Sequence, residues 1–281
     1  MQAPYDPVGF VGAGSLATAL ATGLLASGVP AEALWVGYRT ESDRLGWFRA
    51  RGIRLTRDKA ALARAARTLV LLVKPADADA ALAELRDHLT ATHRVVSCLA
   101  GVPTGYLEAA LGGRPRVLRA MPNLASAVRA SVTALCPGRS AGPADAEAVG
   151  RLFARVGLVV PVVEDDLDAV TAVAGSGPAY VYLLMEALTD AAVDLGLPRD
   201  TAAAMVLQTV LGAAELAAAS PRSPAELRAS VTSKGGTTQA ALEVLEAAGF
   251  RDLVARAVAR ARDRSRALGA RWQPAPEPRD P

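Results

Sequence analysis

The β-branched runs of this chain end part-way along it, and that break limits its folds more than any other feature. Up to about residue 163, short strand-like stretches (PVGFV, LWVGY, TLVLLV, RVVSCLA, RVLRAM, SVTAL, LVVPVV) alternate with Ala- and Leu-rich segments of helical period. Beyond VVEDDLDAV nearly everything to about residue 268 reads as helix, roughly 167–174, 178–195, 199–219, 223–230, 237–248 and 251–268. Strands that alternate with helices build βαβ units around a mostly parallel sheet, and a following run of helices forms its own layer. The expectation is an α/β domain over residues 1–163 and an all-α domain over 164–270, followed by an unpacked Pro-rich tail at 271–281. Gly196 with Pro198, and Gly249, read as helix stop signals.

The first strand runs into Gly12-Ala13-Gly14-Ser15-Leu16-Ala17, and a helix follows. This is GxGxxA in the strand–turn–helix setting expected of a Rossmann-type domain. Gly12 permits the tight turn, Gly14 lets a pyrophosphate reach the backbone, and Ala17 allows close helix–strand packing. The helix N-terminus adds N–H groups and partial positive charge for phosphate. A purely structural glycine turn is the bland alternative. Val11 to Leu16 are the expected cofactor-cradling residues, and two later strand ends, Leu72-Val73-Lys74-Pro75 and Leu99-Ala100-Gly101, are expected to line the same crevice. Lys74 is read as a backbone contact in preference to a proton donor.

The end of the second strand bears on the choice of nicotinamide cofactor. An NAD site places an acid there for the ribose 2′-OH. Here Tyr38, Arg39 and Thr40 occupy the turn, and Glu41 and Asp43 come later. An Arg aimed at a 2′-phosphate makes charge-assisted hydrogen bonds of about 1.5–3 kcal/mol, so NADPH is the expected cofactor and NADH a possible one. Arg39 and Arg44 as ordinary solvated charges are the alternative.

Composition narrows the partners. Against 31 basic residues stand 28 acidic ones with no long basic run, which gives nucleic-acid binding little support. Cys98 and Cys136 lie in no metal-ligand spacing, so neither a disulfide framework nor a zinc site is expected, and the cytoplasm is the expected compartment. No basic stretch followed by a long apolar run opens the sequence, and no signal peptide is expected. The apolar segment TAAAMVLQTVLGAAELAAAS carries Gln208, Thr209 and Glu215, costly at a bilayer midplane, so it reads as a buried helix of a soluble protein. His88 and His93 read as surface residues. That counts against alcohol dehydrogenation by an imidazole base, whereas an iminium carbon accepts hydride with less acid–base help.

The motifs GFVGAGSLATAL, VKP, AGV, RAMPN, DAVTAVAGSGPAYVYLLMEALTDAAVDLGLPRDTA, QTVLGAA and VTSKGGTT, in this order and spacing, resemble the pyrroline-5-carboxylate reductase family along nearly the whole chain. GSGPAY and SKGGTT are the most specific. The resemblance implies NAD(P)H-dependent reduction of 1-pyrroline-5-carboxylate to L-proline, with a helical domain that dimerises and dimers that can assemble into rings. It also implies that Ser233, Gly235, Gly236, Thr237 and Thr238 bind the substrate carboxylate, with Thr238 near the ring nitrogen as a proton relay. Glu164 matches a family position close to the substrate. For Thr237 and Thr238 the bland alternative is helix N-capping, and for Glu164 it is charge at a helix first turn. Lys234 replaces the commoner Pro, Leu124 and Ala125 replace Thr-Pro, Lys59 stands where relatives carry an Asn near the adenosine ribose, and Ser223 replaces a His. The competing classes are a β-hydroxyacid dehydrogenase, which needs a Lys on the helix that here reads GSGPAYVYLLMEALTD, and a non-catalytic NADP-binding module.

Overall fold

The computed structural model describes residues 6–272. The first half runs β1 (Val8–Val11), α1 (Ser15–Ala26), β2 (Leu34–Gly37), α2 (Arg44–Arg49), β3 (Arg54–Thr56), α3 (Lys59–Ala65), β4 (Thr68–Leu71) and α4 (Ala78–Arg86). It continues through β5 (Arg94–Ser97), α5 (Thr104–Ala110), β6 (Arg116–Met121), β7 (Ser131–Pro137), α6 (Pro143–Ala154) and β8 (Gly157–Pro161). Helices follow: α7 (Leu167–Val170), α8 (Gly177–Asp194), α9 (Arg199–Ala219), α10 (Pro224–Ser230), α11 (Thr237–Ala247) and α12 (Phe250–Gly269). A π-helical turn at Thr171–Gly175 follows α7.

The eight strands form one sheet in the order β3-β2-β1-β4-β5-β6-β7-β8. Its neighbours pair in parallel except β6 and β7, which are antiparallel. Seven of these strands carry the apolar runs read from the sequence. The eighth, β3, has no such signal: it is three residues long, with Arg54 exposed and Leu55 and Thr56 half-buried.

Side chains alternate across the sheet as the two-residue strand period requires. Val8, Phe10, Val70, Val96 and Leu118 pack with Leu20 and Leu24 of α1 and Phe153 of α6. Val11, Leu69, Leu71, Val95 and Val117 pack on the opposite face with Leu62 of α3, Leu82 and Leu85 of α4, and Leu107 of α5. Both faces are therefore covered, which is why these strands read as continuous apolar runs.

The strand order reverses between β1 and β4: from β1 the chain steps outward to β2 and β3, and from β4 it steps the other way to β5. Val11 at the end of β1 is level with Gly37 of β2 and Leu71 of β4. A crevice at the carboxyl ends of the strands on either side of such a reversal is where open α/β sheets bind ligands.

Packing divides the chain into two compact units, one formed by residues up to 176 together with those from 260 on, the other by residues 177–259. The sheet ends near the expected boundary at 163, but packing does not break there. Asn123 Nδ2 donates to the Ala174 carbonyl at 3.0 Å, and Ser265 Oγ donates to Asp168 Oδ1 at 2.6 Å, so the π-helical turn and the end of α12 belong to the sheet-bearing unit.

Two expectations need correction. Trp272, assigned to an unpacked tail, is buried; its indole N–H donates to Asp79 at 2.9 Å and its ring lies 5.9 Å from that of Tyr106. The rest of that segment, 273–281, lies outside the described residues. His93 is not a surface residue: it is buried, with Nε2 at 3.0 Å from the Ala63 carbonyl and Nδ1 bound by Thr90. A short polar loop before a strand hides this role, because His93 links α3 to the start of β5 from a sequence distance of 30.

Candidate active site

The turn after β1 sits in the crevice at the strand-order reversal. Gly12 has φ +116°, and a Cβ there would meet the carbonyl carbon and oxygen of Leu72 at 2.9 Å, so only glycine allows this approach. At Gly14 an added Cβ would meet nothing nearer than the Leu72 oxygen at 3.8 Å. That opening suits a phosphate. Helix α1 begins with no side-chain cap and no acidic residue in its first turn, which leaves its N–H groups and partial positive charge for an anion. A cleft of about 300 Å³ is lined here by Val11 to Gly14, Gly37 to Thr40, Leu72 to Lys74, and by Lys59, Asp77 and Glu84. The backbone cradle, its size and its cationic rim fit the phosphates and adenosine of a dinucleotide.

The sequence-derived cofactor residues separate in space. Val11, Gly12, Ala13, Gly14, Tyr38, Arg39, Thr40, Leu72, Val73 and Lys74 line the cleft. Ser15 faces a separate groove with Thr18 and Trp47, and Leu16 packs against the core of the α1 face. Leu99 is buried in the core of the opposite face. Gly101, at φ +76°, is backed by α12: a Cβ there would meet the Gly269 nitrogen at 2.7 Å. Ala100 packs near Met121 and Leu167, and Pro75 opens a short 3-10 turn.

Asp77 and Glu84 are cleft residues that sequence reasoning missed, because the sequence shows them only as ordinary acids at the start of a helix and on its polar side. Lys59 follows β3, the strand without a signal, which is why its place at the rim shows only in the structure.

At the end of β2 the later acid Glu41 is already committed. It accepts from Tyr38 Oη at 2.9 Å and Arg49 Nη2 at 3.0 Å, with Arg57 at 3.5 Å. The hydrogen bond from Arg49, then that from Tyr38, holds its carboxyl below the ordinary range. Glu41 is not part of the cleft wall, and Arg39 is.

Glu164 lies in a 3-10 turn between β8 and α7. Its carboxylate accepts from the Thr104 backbone N–H at 2.7 Å, from Thr104 Oγ1 at 2.5 Å and from Arg119 Nη1 at 3.0 Å. Burial favours its neutral form, but the Thr104 and Arg119 hydrogen bonds outweigh burial and hold the carboxyl below its ordinary value. Arg119 is itself buried, and its Nη2 has no partner among the described residues. Glu164 thus clasps α5 and β6 to the start of the helical region.

In the second unit, the SKGGTT loop leads into α11. Gly235 has φ +71°. The Gly236 N–H donates to the Ser233 carbonyl at 3.0 Å, and the Gly235 N–H donates to Gln239 Oε1 at 2.7 Å. The N-cap position is Gly236, with no side-chain cap and no acid in the first turn. Thr237 and Thr238 are therefore the first two helical residues, and the N-capping alternative for them falls away. Their hydroxyls stand beside uncapped N–H groups, a combination that binds carboxylate.

Residues 164–268 match the family model for pyrroline-5-carboxylate reductase dimerisation, and residues 7–101 match that for NADP oxidoreductase, coenzyme F420-dependent. The pyrroline-5-carboxylate reductase of Methanosarcina acetivorans is 38% identical over 263 residues, covering 93% of this chain and 97% of that protein. The chain belongs to the pyrroline-5-carboxylate reductase family. A second pyrroline-5-carboxylate reductase, from Pseudomonas aeruginosa, is 40% identical over 93% of this chain and 96% of its own length. A crystal structure of the Plasmodium falciparum pyrroline carboxylate reductase with NADP bound superposes with a TM-score of 0.86 at 30% identity, covering 94% of this chain and 98% of that one.

Proposed function

We propose that the protein reduces 1-pyrroline-5-carboxylate to L-proline, the last step of proline biosynthesis, with NADPH as the preferred reductant and NADH as a possible one. The observation that carries this reading is the pairing, in one chain of this family, of a glycine-cradled cleft with Arg39 at its rim and a helix start at Gly236–Thr238 without a side-chain cap, suited to a carboxylate. When bound in the cleft, the nicotinamide supplies the hydride. Ala13 and Gly14 would hold the phosphates through backbone N–H groups while the Gly12 N–H stays on the Gly37 carbonyl at 2.8 Å, and Arg39 with Thr40 would face the 2′-phosphate. Ser233 shapes the loop, Gly235, Gly236 and Thr237 bind the substrate carboxylate, and Thr238 Oγ1 delivers or steadies the proton at the ring nitrogen. The carbon of the C=N bond becomes C–H and its nitrogen becomes the amine of proline.

The reading takes the active enzyme to be a dimer through its helical half, which can build rings of dimers. It places the enzyme in the cytoplasm. Steady-state oxidation of NADPH and of NADH with 1-pyrroline-5-carboxylate tests it, against NADP reduction with 3-hydroxyisobutyrate. Turnover with the imine and none with the hydroxyacid is expected; the reverse would overturn the assignment.

A further inference from the structure

Each cation at the adenosine end of the cleft is already paired with a carboxylate of the chain itself. Arg39, from the turn after β2, reaches Asp77, from the turn before α4, at 3.0 Å. Lys59, the first residue of α3, reaches Glu84 of α4 at 3.3 Å, and its ammonium also donates to the Tyr38 carbonyl at 3.5 Å. All four side chains line the same cleft. The Lys59 side chain is 11% exposed, so its ammonium is fixed in the wall and not waving in solvent.

We propose that Asp77 and Glu84 are cofactor-selectivity residues: internal carboxylates that occupy Arg39 and Lys59 and thereby narrow the preference for NADPH over NADH. For its direction this rests on the reading of Arg39 as a 2′-phosphate ligand. A 2′-phosphate carries close to two negative charges and must displace or share these pairs, meeting cations that are already neutralised and carboxylates that repel it. A ribose 2′-hydroxyl suffers no such repulsion and finds in the same carboxylates acceptors for its proton, the role an acid plays in an NAD site. Asp77 is the N-cap of α4 and Glu84 lies seven residues on, about two helical turns, and both acids line the cleft. The acid absent from the end of β2 is thus supplied from α4, together with the cations that favour phosphate. This arrangement is built to accept both cofactors.

The test uses the whole protein and two small probes, adenosine 2′,5′-bisphosphate and AMP, with binding measured by calorimetry at low salt. Asp77→Asn and Glu84→Gln should each tighten the bisphosphate by about two- to tenfold, the range expected when an exposed ion pair is released and a nearby charge removed. AMP should weaken or stay within about twofold. In an Arg39→Ala background the gain from Asp77→Asn should vanish, since a pairwise effect needs both partners. Both carboxylates are partly exposed, and parallel melting curves show that the variants are folded. Unchanged or weaker bisphosphate binding in both variants overturns the proposal, for then the acids position the cations and do not compete for them. The wild-type ratio of bisphosphate to AMP affinity reports separately on NADPH preference: a ratio near one that rises in Asp77→Asn sinks the preference and supports the competition.

Discussion

Thr238 occupies the second residue of α11, behind a glycine N-cap, so its hydroxyl is not needed to close the helix. Thr238→Ala should therefore leave the melting temperature almost unmoved. If the hydroxyl acts on the ring nitrogen, kcat should fall more than KM rises. General-acid assistance is worth about 10²- to 10⁴-fold, and an iminium that arrives protonated places the loss at the low end. Thr238→Ser should retain most activity, and a rise in KM alone would reduce the residue to a carboxylate ligand. Arg39→Ala should weaken NADPH by about 1.5–3 kcal/mol and leave NADH nearly unchanged; equal losses would refute the 2′-phosphate role. Glu164 asks a different question, because its carboxylate answers three donors, one of them a buried arginine. Breaking a buried pair costs about 3–5 kcal/mol, and the partial exposure of Glu164 lowers that to about 2 for Glu164→Gln. At about 2–4 °C per kcal/mol for a chain of this size, calorimetry should record a clear fall in Tm. A fall in kcat without a fall in Tm would instead place the carboxylate at the substrate.

At the scale of elements, α6 is held at its start by a buried acid. Asp145 accepts from the Gly142 N–H at 3.1 Å and pairs with Arg94 at 2.8 Å and Arg116 at 3.3 Å, tying the helix to the first residues of β5 and β6. Burial raises its pKa, but the Gly142 hydrogen bond and the two arginines outweigh it, and the folded value is depressed. A depressed carboxyl stabilises the fold above its unfolded pKa of about 3.9, and the contribution is lost as pH falls through the lower folded value. Asp145→Asn should cost about 2–4 kcal/mol at pH 7, and the gap in Tm between variant and wild type should shrink as pH drops below about 4. A gap independent of pH would show that the cap, not the charge, matters. Elements also show what periodicity misses. The long helices α8 and α11 were legible because Gly196 and Gly249, at φ +98° and +73°, follow them where the apolar pattern stops. The short strand β3 was not, since three residues cannot display a period.

For the whole molecule, α8 and α9 are apolar well beyond what their own unit buries. Leu183 is 65% exposed, Leu207 56% and Leu211 46%. By length and composition α9 could cross a membrane, yet it carries Gln208, Thr209 and Glu215. Residues 164–268 match a dimerisation domain, and the expectation is that a partner chain covers these faces. Burying them makes a shared core of the obligate type, so folding and association should be one event, with Tm rising with protein concentration. A folded monodisperse monomer by light scattering at micromolar concentration would contradict this.

The two-layer order of the chain, its seven apolar strands, the glycine cradle and the SKGGTT helix start were all written in local patterns, since glycine tolerance, strand alternation and helical period act between near neighbours in sequence. Only the tertiary structure decided that Glu164 faces Arg119, that His93 and Trp272 are buried, and that Asp77 and Glu84 hold Arg39 and Lys59 across the cleft. These are contacts between residues brought together by sheet order, and a side chain's neighbours across a crevice leave no period in the sequence to read.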